Sequence, residues 1–441
     1  MPDPSHKAVS RRAFLSRAAT AGLTLGLPAA RAAEKKKTGA APPASKAALD
    51  WPIADAPEEA ALLDVLRSGK WGRTSGGTRV KEFEALFAKR MAAKHCIATS
   101  SGTSALLTAL GALGVGPGDE VILPPYTFVA TFNAITASYA LPVFVDSDPA
   151  TFQIDATKIE AAITPATRVL LPVHIGGSTC EVESIAAIAK RRSLALLEDA
   201  CQAPLAEWRG RPIGTLGIGG CFSFQASKNL TAGEGGAVLT NDDTFANLCY
   251  DFHTPGGAKQ SASSGRGANF RLTEFQAAIL VAQYSRLEAQ AKTRDVNAAY
   301  LTSLLEKISG IAPAQLASGN TRSAWHLYLL RYDAAKFSDL TRAKFLAALA
   351  KAGIAASSGY SSLNNSAHVR ALAANPHYRR IYGGAAMDRW LELNACPIND
   401  RLVEEAVWFG QTKLLAPRSE MERIAETIAD IQRRSGELAR R

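Results

Sequence analysis

Between about residues 60 and 295 the chain repeats one pattern: a short apolar run, a helical stretch, then another short apolar run. The runs are Cys96-Ile97-Ala98, Val121-Ile122-Leu123, Val143-Phe144-Val145, Val169-Leu170-Leu171 and Leu194-Ala195-Leu196-Leu197. Between them lie helical stretches ending near Gly114, spanning about Thr127 to Ser138, and near 155–162 and 181–191. Strands that are apolar on both faces must be covered on both faces, and a helix after each strand supplies that cover. The pattern therefore predicts an α/β fold around a mostly parallel sheet. In such sheets ligands sit beyond the carboxyl ends of the strands, so the residues just after each run are where chemistry is sought.

Gly-rich stretches at 210–220 and 255–267 read as loops. A long helical pattern over 274–307 bridges to a smaller α+β region, with a run at 325–332, a helix near 338–352 and a terminal helix near 419–434. The expected organisation is a signal over 1–32, a leader and N-terminal segment over 33–60, a large domain over 61–295 and a small one over 296–441.

The first of these segments reads as an address. Arg11 and Arg12 precede Phe14-Leu15, an apolar run follows from Ala18 to Ala30, and Ala30-Arg31-Ala32 offers a small-residue cleavage site. A basic start, a short apolar core and an A-x-A site make a secretory signal, and the paired arginines resemble the twin-arginine type. The expected location is therefore outside the cytoplasm, in the periplasm. The same segment explains the charge. Residues 1–50 hold nine Lys/Arg against three Asp/Glu, so they carry +6 of the +10 total and the other 391 residues only +4. With no basic–aromatic pattern either, a nucleic-acid partner is not expected. Six cysteines lack C-x-x-C or metal-type spacing, and His174, His253 and His326 are scattered, so no metal site and no disulfide framework are read.

Four segments at strand ends carry the chemistry. Ser100-Ser101-Gly102-Thr103-Ser104 opens a helix, where small residues and free N–H groups favour a phosphate, although such residues also simply cap helices. Glu198-Asp199 follows an apolar run, and burial disfavours a charge there unless a cation, such as a protonated pyridine nitrogen, faces it; a structural ion pair is the alternative. Ser223 to Lys228 ends another run before Gly233-Glu234-Gly235-Gly236, and a lysine flanked by Ser and Gly can form a Schiff base once its pKa is depressed. Gly267 to Arg271 reads by itself only as a loop.

Taken together these segments resemble the DegT/StrS family of pyridoxal-phosphate-dependent aminotransferases. The resemblance runs from about Trp71 to the C-terminal helix. It is carried by residues 101–106, 116–122, 125–131, 142–146, 198–202, 223–228 and 233–236. It implies fold type I, with a seven-stranded-type sheet in the large domain, and pyridoxal 5'-phosphate as cofactor. It also implies an amino-acid donor, glutamine or glutamate, with a keto-sugar or keto-cyclitol as acceptor. By the same resemblance Lys228 carries the cofactor as a Schiff base and shuttles the proton, and Asp199 pairs with the ring nitrogen. Phe128 stacks on the ring, Gln202 hydrogen-bonds near its hydroxyl, and Gly102, Thr103 and Ser223 bind the phosphate. Asn269 reaches the phosphate site of the other subunit, which implies a homodimer with shared sites. Segments 173–177 and 223–236 look closest to inosose and aminohydroxybenzoate aminotransferases. Cys201 in place of a second alanine, and His253-Thr254-Pro255 in place of the commoner His-Gly, depart from the pattern. Two alternatives stand beside this reading. A sugar dehydratase of the same fold is disfavoured by Lys228, where such relatives carry histidine, and an exported non-catalytic binding protein is suggested only by location. Residues 357–366 are candidates to line the site from the small domain.

Overall fold

The computed structural model describes residues 50–255 and 265–440; the signal over 1–32 and part of the 255–267 loop lie outside them. Among the described residues thirteen strands run in chain order. The first five are β1 His95–Thr99, β2 Glu120–Leu123, β3 Leu141–Phe144, β4 Thr167–Leu170 and β5 Ala195–Asp199. Then come β6 Glu207–Trp208, β7 Arg211–Pro212, β8 Gly219–Ser223 and β9 Gly236–Thr240. The last four are β10 Ile311–Pro313, β11 Asn320–Arg322, β12 Leu327–Tyr332 and β13 Ala406–Gly410. Seven of them form one sheet in the order β1-β9-β8-β5-β4-β2-β3. Only β9 pairs antiparallel with its neighbours, β1 and β8, and the pairings from β8 through β5, β4 and β2 to β3 are parallel. The predicted α/β architecture is thus the observed one, and the predicted short runs are its strands.

Two apolar layers cover the sheet. One contains Phe83, Phe87, Phe222 and Phe224, whose rings meet edge-to-face at 5.2 to 5.4 Å. Such contacts add about 0.5–1.5 kcal/mol each beyond area burial. The other layer contains Leu106, Leu110, Phe132 and Phe144. Strand β8 shows why register matters to the site. Phe222 and Phe224 face the first layer, so by the period of two Cys221 and Ser223 face the other side. A one-residue slip would exchange Ser223 for a phenylalanine.

The long helix Glu274–Leu305 starts at a capping box of Thr273 and Gln276. Its first half (Ala277, Leu280, Leu287) packs under the large sheet. Its second half (Ala298, Leu301, Leu305) joins a separate core with β10-β12-β13, a three-stranded antiparallel sheet. Residues after that sheet's first strands do not stay with it. Val369, Leu372, Tyr378, Met387 and Trp390 return to the large sheet's second layer, and Trp390 Nε1 donates to Pro142 O at 2.7 Å.

Several elements differ from expectation. The 210–220 stretch is not all loop, since it holds β7 and the start of β8. The glycines are there because backbones approach closely: a Cβ on Gly220 would stand 2.2 Å from Gly214 Cα. The helix expected from Thr127 begins at Val129, because Phe128 is its extended N-cap. The helix expected from 338 begins at Arg342, capped by Thr341. Helices Ala367–Ala374, Pro376–Tyr382, Gly384–Leu393 and Pro397–Glu405, and strand β13, were not read from the sequence. They are short and interrupted by Pro and Gly, which blurs their periodicity. All six cysteines are free.

Candidate active site

The carboxyl ends of β1, β5 and β8, with the start of β9, meet at one edge of the sheet, and a cavity of about 620 Å³ opens there. Seven of the eight residues selected from the sequence line it: Gly102, Thr103, Phe128, Asp199, Gln202, Ser223 and Lys228. A wider cleft of about 870 Å³, bordered by Asp148, Glu181 and Arg191, contains none of them.

Successive residues at the end of β5 take opposite faces, and this separates the two carboxylates. Glu198 is fully buried and accepts from the N–H groups of Gly214, Leu216 and Gly217 at 2.8 to 3.0 Å, with His174 Nε2 at 3.1 Å. Its valences are filled, so it organises the Gly-rich segment rather than a ligand. His174 Nδ1 accepts from the Cys180 N–H, which fixes the proton on Nε2. Asp199 faces the cavity instead. Its Oδ2 accepts from Thr131 Oγ1 at 2.8 Å and its Oδ1 from the Cys201 N–H at 3.2 Å. Thr127 Oγ1 lies 2.9 Å from Thr131 Oγ1, so two helix-start threonines hold this carboxylate in one orientation.

Lys228 sits at the mouth of a tight loop. Phe224 N donates to Gly235 O, Ala226 N to Gly233 O, and Lys228 N to Gln225 O, all at 2.8 to 2.9 Å. Gly233 supplies the left-handed backbone (φ +80°) that this return requires. Burial pushes the Lys228 amine below the ordinary lysine range, with the neighbouring Cys201 and Asp199 opposing part of that shift. An amine so placed is uncharged more of the time and correspondingly more nucleophilic.

The cradle opposite is built by close packing. Ser101 caps the helix Gly102–Ala112, its Oγ accepting from Ser104 N at 3.0 Å. The N–H groups of Gly102 and Thr103 have no intrahelical acceptor, as in any first turn, and they open on the cavity. A Cβ on Gly102 would meet Ser223 Cβ at 2.7 Å and Cys201 Sγ at 3.0 Å. Gly102→Ala is therefore expected to lower stability by about 1–3 kcal/mol through overpacking. It should also weaken cofactor loading at least tenfold, read by thermal unfolding and by cofactor titration; normal loading would show that the cradle tolerates a methyl group.

Phe128 is 56% exposed, a large ring left open at the cavity wall. Gln202 accepts from Gly176 N at 2.8 Å and donates to the Tyr360 hydroxyl at 2.9 Å, which leaves one amide hydrogen for a ligand oxygen. Asn269 lies outside this cavity and is exposed, its Oδ1 3.5 Å from Arg271 N. His253, one of the departures, is turned inward on Tyr250 O, and burial pushes its pKa down to about 4.

Sequence reasoning missed Thr131, His326 and Trp408, all of which line the cavity. Thr131 was legible in part, one helical turn after Thr127. His326 immediately precedes β12 and Trp408 is central in β13, and no local pattern ties them to β5 or β8. Tyr360, inside the flagged 357–366 stretch, packs on Trp408 at 4.7 Å and beside Tyr126 at 5.6 Å. Burial pushes its hydroxyl up to about 12, so it stays protonated.

Residues 52–407 match the DegT/DnrJ/EryC1/StrS aminotransferase family. The chain is 36% identical over 410 residues to an L-glutamine:2-deoxy-scyllo-inosose aminotransferase of Streptoalloteichus tenebrarius, covering 88% of this chain and 96% of that protein. It is 34% identical over 387 residues to 3-amino-5-hydroxybenzoate synthase of Amycolatopsis mediterranei, covering 86% and 96%. The crystal structure of a 3-amino-5-hydroxybenzoic acid synthase superposes with a TM-score of 0.77 at 32% identity, covering 88% of this chain and 99% of that one.

Proposed function

The chain belongs to the DegT/DnrJ/EryC1/StrS aminotransferase family, and on that premise we propose that it moves an amino group from L-glutamine or L-glutamate to a keto-cyclitol or keto-sugar. The carrying observation is one cavity that pairs a lysine of depressed pKa with a buried, doubly hydrogen-bonded carboxylate and an open aromatic ring. That donor set fits pyridoxal 5'-phosphate: an amine for its carbonyl, a carboxylate for its ring nitrogen, a flat face, and an anion cradle at a helix start. When bound, this cofactor supplies an electron sink for the carbon that loses its proton.

The residues divide the work. Lys228 Nζ would hold the cofactor through its carbonyl carbon and, as an amine of depressed pKa in the same cavity, would serve as the base that moves a proton during amino transfer. Asp199, held by Thr131 and Cys201, would face the ring nitrogen and keep the ring an electron sink. Phe128 would cover one ring face. The N–H groups of Gly102 and Thr103, with the Thr103 and Ser223 hydroxyls, would hold the phosphate, and the free amide hydrogen of Gln202 would be available to the ring hydroxyl. The partner's Asn269 completes the phosphate site in a homodimer, which agrees with its exposure here.

The visible spectrum of purified protein tests this. A lysine-linked absorbance that converts on adding L-glutamine or L-glutamate is expected; protein that takes up no cofactor on reconstitution would sink the reading. The paired arginines and apolar run of residues 10–32 support export to the periplasm, where free sugars and cyclitols are more accessible acceptors than nucleotide-linked ones.

A further inference from the structure

His326, just before β12, is 6% exposed and lines the cavity, and nothing above uses it. Its state is fixed by a short relay. Asn229 Nδ2 donates to Ala324 O at 2.6 Å. A carbonyl oxygen only accepts, so the amide orientation of Asn229 is settled, and its Oδ1 is the atom 3.2 Å from His326 Nδ1. An amide oxygen likewise only accepts, so Nδ1 must carry the ring's proton. Nε2 is then left as the ring's lone pair, the ring lines the cavity, and no hydrogen bond to Nε2 is found among the described residues. Burial, together with the positive charges of Lys228 and Arg294, holds the imidazole well below its usual pKa and so keeps it neutral. In the same cavity the Tyr360 hydroxyl accepts from Gln202 and keeps its own hydrogen to donate. The wall thus offers one fixed acceptor and one fixed donor, the pair that reads an alcohol.

We propose that His326 is a specificity-determining residue whose Nε2 accepts a hydrogen bond from a ring hydroxyl of the keto acceptor. The proposal rests on the aminotransferase reading above. A site built to bond a hydroxyl rejects the analogue lacking it, because its polar group is left unpaired in a dry pocket.

The test uses the cofactor-loaded protein and scyllo-inosose beside monodeoxy inososes that each lack one hydroxyl. The donor half-reaction with L-glutamine or L-glutamate is followed separately by absorbance. In the wild type, one monodeoxy ketone is expected to lose at least tenfold in kcat/KM. His326→Phe should abolish that preference and raise KM for scyllo-inosose at least tenfold, with the donor half-reaction within about threefold of wild type. That tenfold figure corresponds to about 1.4 kcal/mol. His326→Gln, which can present an amide oxygen, should recover most of the preference. A wild type that takes the donor but treats the whole panel alike overturns the assignment alone, as does a His326→Phe protein that keeps the preference. A wild type that ignores both donors overturns the aminotransferase reading and this proposal with it.

Discussion

Replacing Lys228 with alanine is expected to reduce amino transfer at least about a thousandfold, roughly 4 kcal/mol of transition-state stabilisation, while leaving the fold in place. The size follows from the two tasks given to one nitrogen, covalent anchoring and proton transfer. No other cavity-lining residue among those described offers an amine; the groups nearest in character are a neutral His326 and a buried thiol, Cys201, whose pKa burial pushes well up. Single-turnover absorbance should show cofactor held without the lysine-linked band, and retained turnover in the variant would contradict the assignment. The depressed amine adds a pH signature. Cofactor-free protein should react with an amine-directed reagent at Lys228 at lower pH than at its surface lysines. The sign for stability is the reverse of the usual lysine case. The folded chain holds this proton less tightly than the unfolded chain. The Lys228 contribution is therefore unfavourable at neutral pH and is relieved as pH climbs toward the ordinary lysine value of about 10.4. Lys228→Ala should accordingly flatten that rise in the cofactor-free form.

Asp199→Ala is expected to cost about 10²–10³ in kcat, the range for removing one preorganised electrostatic partner. The loss should fall on the proton-transfer step and hardly at all on cofactor anchoring, because Lys228 and the Gly102 cradle remain. Thr131→Val is the graded companion. It deletes the 2.8 Å hydrogen bond to Oδ2 and keeps the charge, so a decrease of about fivefold to tenfold is expected, near 1 kcal/mol. A Thr131→Val protein as impaired as Asp199→Ala would mean that orientation, not charge, is what the site requires. An unimpaired Asp199→Ala protein would remove the carboxylate from the mechanism. Pre-steady-state absorbance with L-glutamine separates the steps in both variants.

The parallel part of the sheet, the helices after β1 to β4 and the position of the site were legible in the chain, whereas the antiparallel strand β9 was not. Runs of three or four apolar residues leave no polar face for water, and a sheet covered on both sides accommodates them; β9, buried at all five positions, is the extreme case. Lys228, Asp199, Ser223 and Gly102 could be picked because each follows or ends such a run, and strand ends are where this architecture gathers ligands. The same reasoning could not tell that Glu198 is spent on the Gly214–Gly217 backbone while its neighbour Asp199 is free for the cavity, since both carboxylates share one segment.

What the sequence determined by itself, then, is what local burial encodes: which residues form strands, which face of each is covered, and hence which edge of the sheet must hold the site. What only the tertiary structure decided is which distant side chains meet there. Thr131 reaches Asp199 across 68 residues, Gln202 reaches Tyr360 across 158, and the protonation of His326 depends on an amide 97 residues away. Periodicity in a sequence reports the environment of a residue relative to its own element. Hydrogen-bond partners are set by how elements cross, and that information is distributed over the whole packed core rather than written at either end of the bond.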